Sequence, residues 1–183
     1  MSSREYLEKV TIGSITELNC QISLSEYDSH WEKIYLEEKQ KIETALKGKN
    51  IVIEHVGSTS VPGLCAKPII DILLLVENSA DEMEYAEELE KQGYVLRIRE
   101  PEWFEHRMFK GQHPEVNLHV FSIGCAEAER MLSFRNWLRT HEEDRNLYAS
   151  EKRRLANKTW KYVQEYADAK SEVVREILRH TDR

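Results

Sequence analysis

The sequence predicts an α+β domain in which a mixed β-sheet flanked by helices is followed by a helical C-terminal part. Five short segments between residues 51 and 123 are apolar or alternate apolar with polar residues, and turn residues separate them. After Gly124, the last 59 residues contain neither glycine nor proline, and apolar positions recur there at helical spacing. We therefore expect a sheet core over about residues 51–123 and helices over about residues 126–180.

The N-terminal residues predict an extension followed by a helical region. Residues 1–20 form the predicted extension, and residues 21–183 form the predicted single domain. Charged residues interrupt the extension, so it lacks the apolar stretch of a signal peptide. Between Ser25 and Lys47, apolar residues recur at the spacing of one or two amphipathic helices, and Gly48 is a suitable helix end.

The predicted strands cover residues 51–56, 69–76, 94–99, 104–110 and 115–123. An acidic helix is predicted over 81–92, with Met83 on its apolar face and Gly93 at its end. In the C-terminal part, the spacing predicts one last helix that includes Tyr162 and Val173.

Composition limits the classes of function. The formal net charge of −7 argues against broad nucleic-acid binding, although it allows a local basic pocket. The three cysteines are far apart and form no CxxC pattern, which favours a reduced, cytoplasmic protein. The longest apolar run, Ile69–Val76, is too short to span a membrane, and Asp71 interrupts it.

The stretch HVGSTSVPGLCAKPIIDILLLV, residues 55–76, contains the strongest candidate for a site. Gly57 permits a positive φ and a close approach of the backbone to a ligand. The hydroxyls of Ser58, Thr59 and Ser60 are donors suited to a phosphate. The same residues also suit a tight turn whose hydroxyls cap the next element, so both interpretations stay open.

Asp71 favours the site. It lies thirteen residues after Ser58, near the start of the next predicted strand. A buried carboxylate without partners is costly, so an aspartate in an apolar strand points to a polar neighbour or ligand. Its oxygens are ligands that Mg²⁺ prefers.

Residues 54–72, EHVGSTSVPGLCAKPIIDI, resemble the signature of the GrpB family, also called UPF0157. The resemblance continues through EYDSHW at 26–31, HRMF at 106–109, NLHVF at 117–121, FRNWLRTH at 134–141, and Tyr148 with Lys152. A related module follows dephospho-CoA kinase in some bacterial fusions. The resemblance implies a nucleotidyltransferase-like core, in which the glycine–serine turn holds nucleotide phosphates and strand carboxylates hold Mg²⁺.

The sequence departs from an active nucleotidyltransferase at the second acid. Such enzymes carry Asp-x-Asp on this strand, whereas Leu73 stands two residues after Asp71. On a later predicted strand, Asn117 and His119 share one face by period-two alternation. His119 facing Asp71 would line a pocket, bind a metal or serve the fold, and the sequence leaves all three open. Glu54 is not expected to replace the missing acid.

Several cations lie near these motifs. Arg107 and Arg135 are expected at the rim of the cleft as phosphate ligands, with ordinary salt bridges as the alternative. The predicted site therefore contains Asp71 and His119 as catalytic candidates, Asp71 as the metal ligand, and Gly57, Ser58, Thr59, Ser60, Lys67, Arg107 and Arg135 as phosphate ligands.

Two functions remain open from the sequence. One is a divergent nucleotidyltransferase that binds a nucleotide or phosphorylated small molecule and transfers a nucleotidyl group to an unknown acceptor, with Mg²⁺ as cofactor. The other is a catalytically inactive module that binds a nucleotide or metabolite or acts as a folding partner. No membrane partner is expected in either case.

Overall fold

The computed structural model describes residues 3–181, and the ends of the predicted extension and domain, residues 1–2 and 182–183, lie outside it. The strands are β1 Val52–Val56, β2 Ile70–Val76, β3 Val95–Glu100, β4 His106–Gln112 and β5 Glu115–Ser122. They form a mixed sheet of order β1-β2-β5-β4-β3, in which β2 and β5 are parallel and the other neighbours antiparallel. The predicted α+β class is confirmed.

The helices are α1 Ser3–Val10, α2 His30–Ala45, α3 Ala86–Lys91, α4 Ala126–Thr140, α5 Glu142–Ala156, α6 Val163–Ala169 and α7 Ser171–Thr181. Short 3₁₀ turns occupy Ser58–Ser60 and Glu82–Glu84. The segment after α1 pairs with β3 through a Thr11–Ile98 bridge. Among residues 3–181, no helix is both long and apolar enough to span a membrane.

The two faces of the sheet differ in chemistry because side chains alternate along each strand. One face is apolar and packs against α2 and α3; its buried members include Ile53, Ile70, Ile72, Leu74, Phe109, Val116, Leu118 and Val120. The other face carries Asp71 beside Asn117 on the neighbouring strand, and Leu73 beside His119. Helix α4 covers part of this second face through Ala128, which packs with Phe121 and Leu73. Asp71, Asn117 and His119 therefore share one face.

Two predicted helices differ from the structure. The predicted helix over 81–92 begins as a 3₁₀ turn, and Met83 is 93% exposed instead of packing inward. Tyr85 enters the core in its place, where its hydroxyl donates to the Ser79 carbonyl at 2.6 Å.

The predicted single C-terminal helix is two helices. The Glu165 carboxylate accepts the Tyr162 backbone N–H at 3.2 Å, so α6 begins only after Tyr162. Lys170 separates α6 from α7, which carries Val173. Lys170, at this break, lines the same cavity as Asp71.

Candidate functional site

The glycine–serine turn packs directly against Asp71. Gly57 has φ +68° and ψ −174°, and a Cβ at this position would lie 2.4 Å from Asp71 Oδ2. Only glycine therefore lets the turn approach the carboxylate this closely. The Ser60 hydroxyl donates to the Gly57 carbonyl at 2.6 Å and so closes the turn. Ser60 was predicted to bind phosphate, but it does not line the pocket.

A cavity of about 70 Å³ lies between the turn, the sheet and the C-terminal helices. Its polar lining comprises Ser58, Thr59, Lys67, Asp71, Asn117, Lys152, Tyr166 and Lys170. The predicted residues Ser58, Thr59, Lys67 and Asp71 are thus brought together. This volume is several times what one water needs, so a group the size of a phosphate fits.

Three lysines surround this cavity with a single carboxylate among them. Lys152 is only 3% exposed, and its ammonium group donates to the Cys65 carbonyl. Lys170 lies over the Tyr166 ring, 4.6 Å from its centroid. Within residues 3–181, neither Lys67 nor Lys170 forms an ion pair within 4.0 Å. The pocket therefore has more positive than negative charge.

The pKa values of all three lysines are lowered, chiefly by burial. Burial lowers the pKa of Lys152 to about 7, and the nearby charge of Lys170 acts in the same direction. Burial also lowers the pKa of Lys67 and of Lys170. A group that burial and like charges hold below its usual pKa is stabilised as a cation by any bound anion.

Asp71 is held as a carboxylate. Burial alone would raise its pKa, but His119, the Asn117 amide and the charge of Lys67 outweigh that effect and lower the pKa overall. Asn117 Nδ2 donates to Asp71 Oδ1 at 2.9 Å, and His119 Nε2 lies 3.7 Å from the same oxygen. Asp71 and His119 therefore lie on one face of the sheet, as their common site requires.

Two residues that the sequence analysis did not single out extend this contact across the sheet. His106 Nε2 lies 3.1 Å from His119 Nδ1, and His106 Nδ1 lies 2.6 Å from Glu100 Oε2. The His106 ring stacks on Phe121, and burial lowers the pKa of its imidazole. The chain of contacts Glu100–His106–His119–Asp71 thus crosses four strands. The HRMF segment could have indicated it, because alternation places His106 on the face of His119.

The two predicted arginines lie elsewhere. Arg107 is on the apolar face with Phe109, and its guanidinium pairs with Glu82 at 2.5 Å, so its predicted place at the cleft is wrong. Arg135 is buried and donates to Glu54 at 2.7 Å and to the His55 carbonyl at 2.8 Å. It joins α4 to β1 and does not line the pocket.

The donor set fits one metal ion and not two. Leu73 is fully buried where the second acid would stand. No group of three or more His, Cys, Asp or Glu side chains that could hold a metal occurs among residues 3–181. Asp71 and His119 supply two donors, so an ion there needs further oxygens from water or a bound ligand.

Tyr166 provides an independent indication of a ligand. Its hydroxyl is the one fully buried side-chain polar atom in the described part of the chain that lacks a hydrogen-bond partner. Tyr166 lines the same cavity, and burial raises its pKa. A buried hydroxyl without a partner is costly, and a ligand oxygen in the cavity would satisfy it.

The comparisons identify the family. A family model described as "GrpB protein" matches residues 21–180. The chain belongs to the GrpB family. A UPF0157 protein of Halalkalibacterium halodurans is 56% identical over 178 residues, covering 97% of this chain and 91% of that protein. A UPF0157 protein of Streptomyces coelicolor is 42% identical over 154 residues, covering 84% of this chain and 81% of that one.

The fold of this GrpB-family chain also resembles solved structures. The crystal structure of the conserved protein GrpB from Enterococcus faecalis matches with a TM-score of 0.70 and 30% identity, covering 88% of this chain and 100% of that chain. The Cid1 poly(U) polymerase overlaps with a TM-score of 0.45 and 10% identity, covering 82% of this chain and 46% of that chain. The GrpB structure therefore shares the fold over nearly the whole chain.

Proposed function

We propose that this GrpB-family protein binds a nucleotide or another phosphorylated small molecule in the cavity beside Asp71. The observation that carries the proposal is the convergence of Lys67, Lys152 and Lys170 on a cavity with one carboxylate. A phosphate group would pair with these ammonium groups and accept from the Ser58 hydroxyl. It would also give Tyr166 the partner it lacks.

A divalent cation has a place in this complex. Mg²⁺ in nucleotide sites is commonly held by one or two carboxylates together with substrate phosphates. Asp71, held ionised at the edge of the cavity, is suited to that role. A cation here would offset the repulsion between Asp71 and the phosphates.

Nucleotidyl transfer is the second candidate, and the position of Asp71 and His119 on one sheet face favours it. Leu73 at the second acid position favours the inactive binding module. Transfer would join the α-phosphorus of the nucleotide to an acceptor hydroxyl and release pyrophosphate. Pyrophosphate release from a nucleoside triphosphate, measured with cell extract as the source of acceptors and compared between added wild type and added Asp71→Asn, separates the two. Release that depends on Asp71 supports transfer, and binding without release supports the module.

A thermal-shift screen tests the binding proposal. The four nucleoside triphosphates are assayed with and without Mg²⁺ or Mn²⁺. A ligand that binds the folded protein stabilises it by about 2.7 kcal/mol at a hundred times its Kd, so we expect a clear rise in Tm with at least one nucleotide. The absence of any shift in all conditions would contradict nucleotide binding.

Tyr166→Phe is expected to have opposite effects on stability and binding. Removing the buried hydroxyl without a partner should raise the unfolding free energy by about 1 kcal/mol in ligand-free buffer. The same change should reduce the Tm rise produced by the ligand. Tyr85→Phe is the matched control, because its hydroxyl is satisfied by the Ser79 carbonyl and its loss should lower stability by about 1 kcal/mol. A Tyr166→Phe variant that is less stable and binds as well as the wild type would contradict the role of Tyr166.

Asp71→Asn tests the charge of Asp71. Its pKa is lowered in the folded state, so the carboxylate stabilises the fold above the unfolded pKa of about 3.9 and loses this effect as the pH falls through the folded pKa. We expect the substitution to lower the unfolding free energy by about 1 kcal/mol at pH 7 and by less in acid. Urea denaturation in metal-free buffer measures both values. Equal losses at both pH values would contradict this account.

Ligand affinity should fall as the pH rises through 7. Lys152 has a pKa of about 7 in the free protein, and a bound anion favours its charged form. Binding at pH 7.5 or above should therefore take up protons, which calorimetry in two buffers of different ionisation enthalpy measures. Binding without proton uptake would show that the ligand does not approach Lys152.

A further inference from the structure

Two exposed aromatic rings lie in the segment between β3 and β4. Trp103 and Phe104 are 41% and 48% exposed, and their ring centroids are 5.8 Å apart. The Trp103 ring also contacts His106 and Phe121, with centroids 5.2 Å and 5.7 Å away. Phe104 and Glu105 have φ values of +55° and +51°, a conformation that is uncommon for bulky residues and clusters at binding sites. Trp103 and Phe104 form an apolar surface, called the aromatic surface below, of the kind that contacts a ligand or partner.

Strand β5 connects the aromatic surface to the lysine cavity. Asn117, His119 and Phe121 alternate onto one face of this strand. Asn117 lines the cavity, and Phe121 contacts Trp103. The strand between Asn117 and Phe121 is about 13 Å long, at about 3.3 Å per residue. Along this route the side chains of His119 and Asp71 are 24% and 28% exposed, so the face between the cavity and the aromatic surface is open to a ligand.

The lysine cavity is too small for a whole nucleotide. Its volume of about 70 Å³ holds a phosphate group, so the rest of the ligand extends out of it. An extended nucleoside triphosphate separates its terminal phosphate from its base by a distance close to the length of this strand segment, whereas a monophosphate is much shorter. A triphosphate anchored in the cavity can therefore place its base on the aromatic surface.

We propose that Trp103 stacks on the base of a nucleoside triphosphate whose terminal phosphate lies among the three lysines of the cavity. The inference rests on the proposed function and narrows its ligand from any phosphorylated small molecule to a nucleoside triphosphate. Every base presents a π face, so stacking on an aromatic side chain tolerates all four bases. Phe104 packs against the indole and extends the surface on which the base lies.

Binding of ATP and of inorganic tripolyphosphate, each measured by calorimetry with Mg²⁺, tests the inference. Trp103→Ala should weaken ATP binding about tenfold or more and leave tripolyphosphate binding unchanged, because only ATP has a base to stack. Lys152→Met should weaken the binding of both ligands. Leu36→Ala is the control, since it removes a side chain that is 55% exposed on α2, and it should bind both ligands as the wild type does.

Indole fluorescence gives a second measurement. A stacked base quenches indole emission, so ATP should quench the fluorescence of the wild type and tripolyphosphate should not. Trp103→Phe keeps an aromatic ring beside Phe121, so it should still bind ATP but lose the quenching. This variant decides the question even where Trp103→Ala does not fold.

The outcomes separate this inference from the proposed function. Equal effects of Trp103→Ala on the two ligands, or quenching that persists in Trp103→Phe, would overturn the stacking role of Trp103. A change of oligomeric state in Trp103→Ala with unchanged ATP affinity would also overturn it, and would assign the aromatic surface to a second copy of the chain. In each of these cases tripolyphosphate binding that depends on Lys152 would keep the proposed function. If neither ATP nor tripolyphosphate binds the wild type, the proposed function itself fails.

Discussion

Gly57→Ala is expected to lower the unfolding free energy by about 3 kcal/mol or more and to abolish ligand binding. The added methyl group would lie 2.4 Å from Asp71 Oδ2 and 2.8 Å from Asp71 Cβ. Overpacking costs about 1–3 kcal/mol, and the combination of φ +68° with ψ −174° is nearly exclusive to glycine and adds a similar amount. Relief of the clash requires Asp71 or the turn to move, and either movement deforms the cavity.

Gly48→Ala separates the clash from the strain. Gly48 has φ +86°, but a Cβ there would meet no atom within 4 Å. Gly48→Ala should therefore add only backbone strain, which lowers the unfolding free energy by about 1–2 kcal/mol and leaves ligand binding unchanged. Urea denaturation and thermal shift with the stabilising nucleotide measure both effects. Equal losses of stability in the two variants would show that the contact between the turn and Asp71 is not tight.

Lys152→Met is expected to weaken ligand binding about 100-fold with little change in stability. Loss of one partner from a buried charged contact costs 2 kcal/mol or more in a complex. In the free protein, removal of a buried charge is favourable, while the Cys65 carbonyl loses its donor. These effects oppose each other, so the unfolding free energy should change by no more than about 1 kcal/mol.

The matched control for this charge change is Lys47→Met. Lys47 is exposed, lies near the end of α2 and does not line the cavity. The Lys47→Met variant should bind the ligand as tightly as the wild type in a titration at the same ionic strength. If Lys152→Met also bound like the wild type, the anion would have to bind outside this cavity.

Much of the fold was predictable because alternation and turn residues mark the strands locally. The same periodicity placed Asn117 and His119 on one face, and the parallel pairing of β2 and β5 brings Asp71 beside them. It could also have excluded Arg107, since Arg107 shares a face with Phe109, which belongs to the apolar side. Arg107 was placed at the cleft because it belongs to the HRMF segment, without regard to the face of the sheet on which its side chain lies.

The rest of the pocket depends on tertiary packing. Lys152, Tyr166 and Lys170 lie on helices that follow the sheet in the chain, and their approach to Asp71 depends on how those helices pack. Local sequence does not determine that path. Similarly, the Ser60 and Arg135 side chains could bind a phosphate, but in the fold they donate hydrogen bonds to other protein groups.

The central claim is that a phosphorylated ligand binds among the three lysines beside Asp71. Backbone amide NMR of the ¹⁵N-labelled protein, titrated with ATP in the presence of Mg²⁺, tests it most directly. We expect the largest shift changes at Ser58, Lys67 and Lys170, which line the cavity from separate segments, and none at Lys47. Unchanged spectra, or changes confined to residues outside the cavity, would contradict the claim.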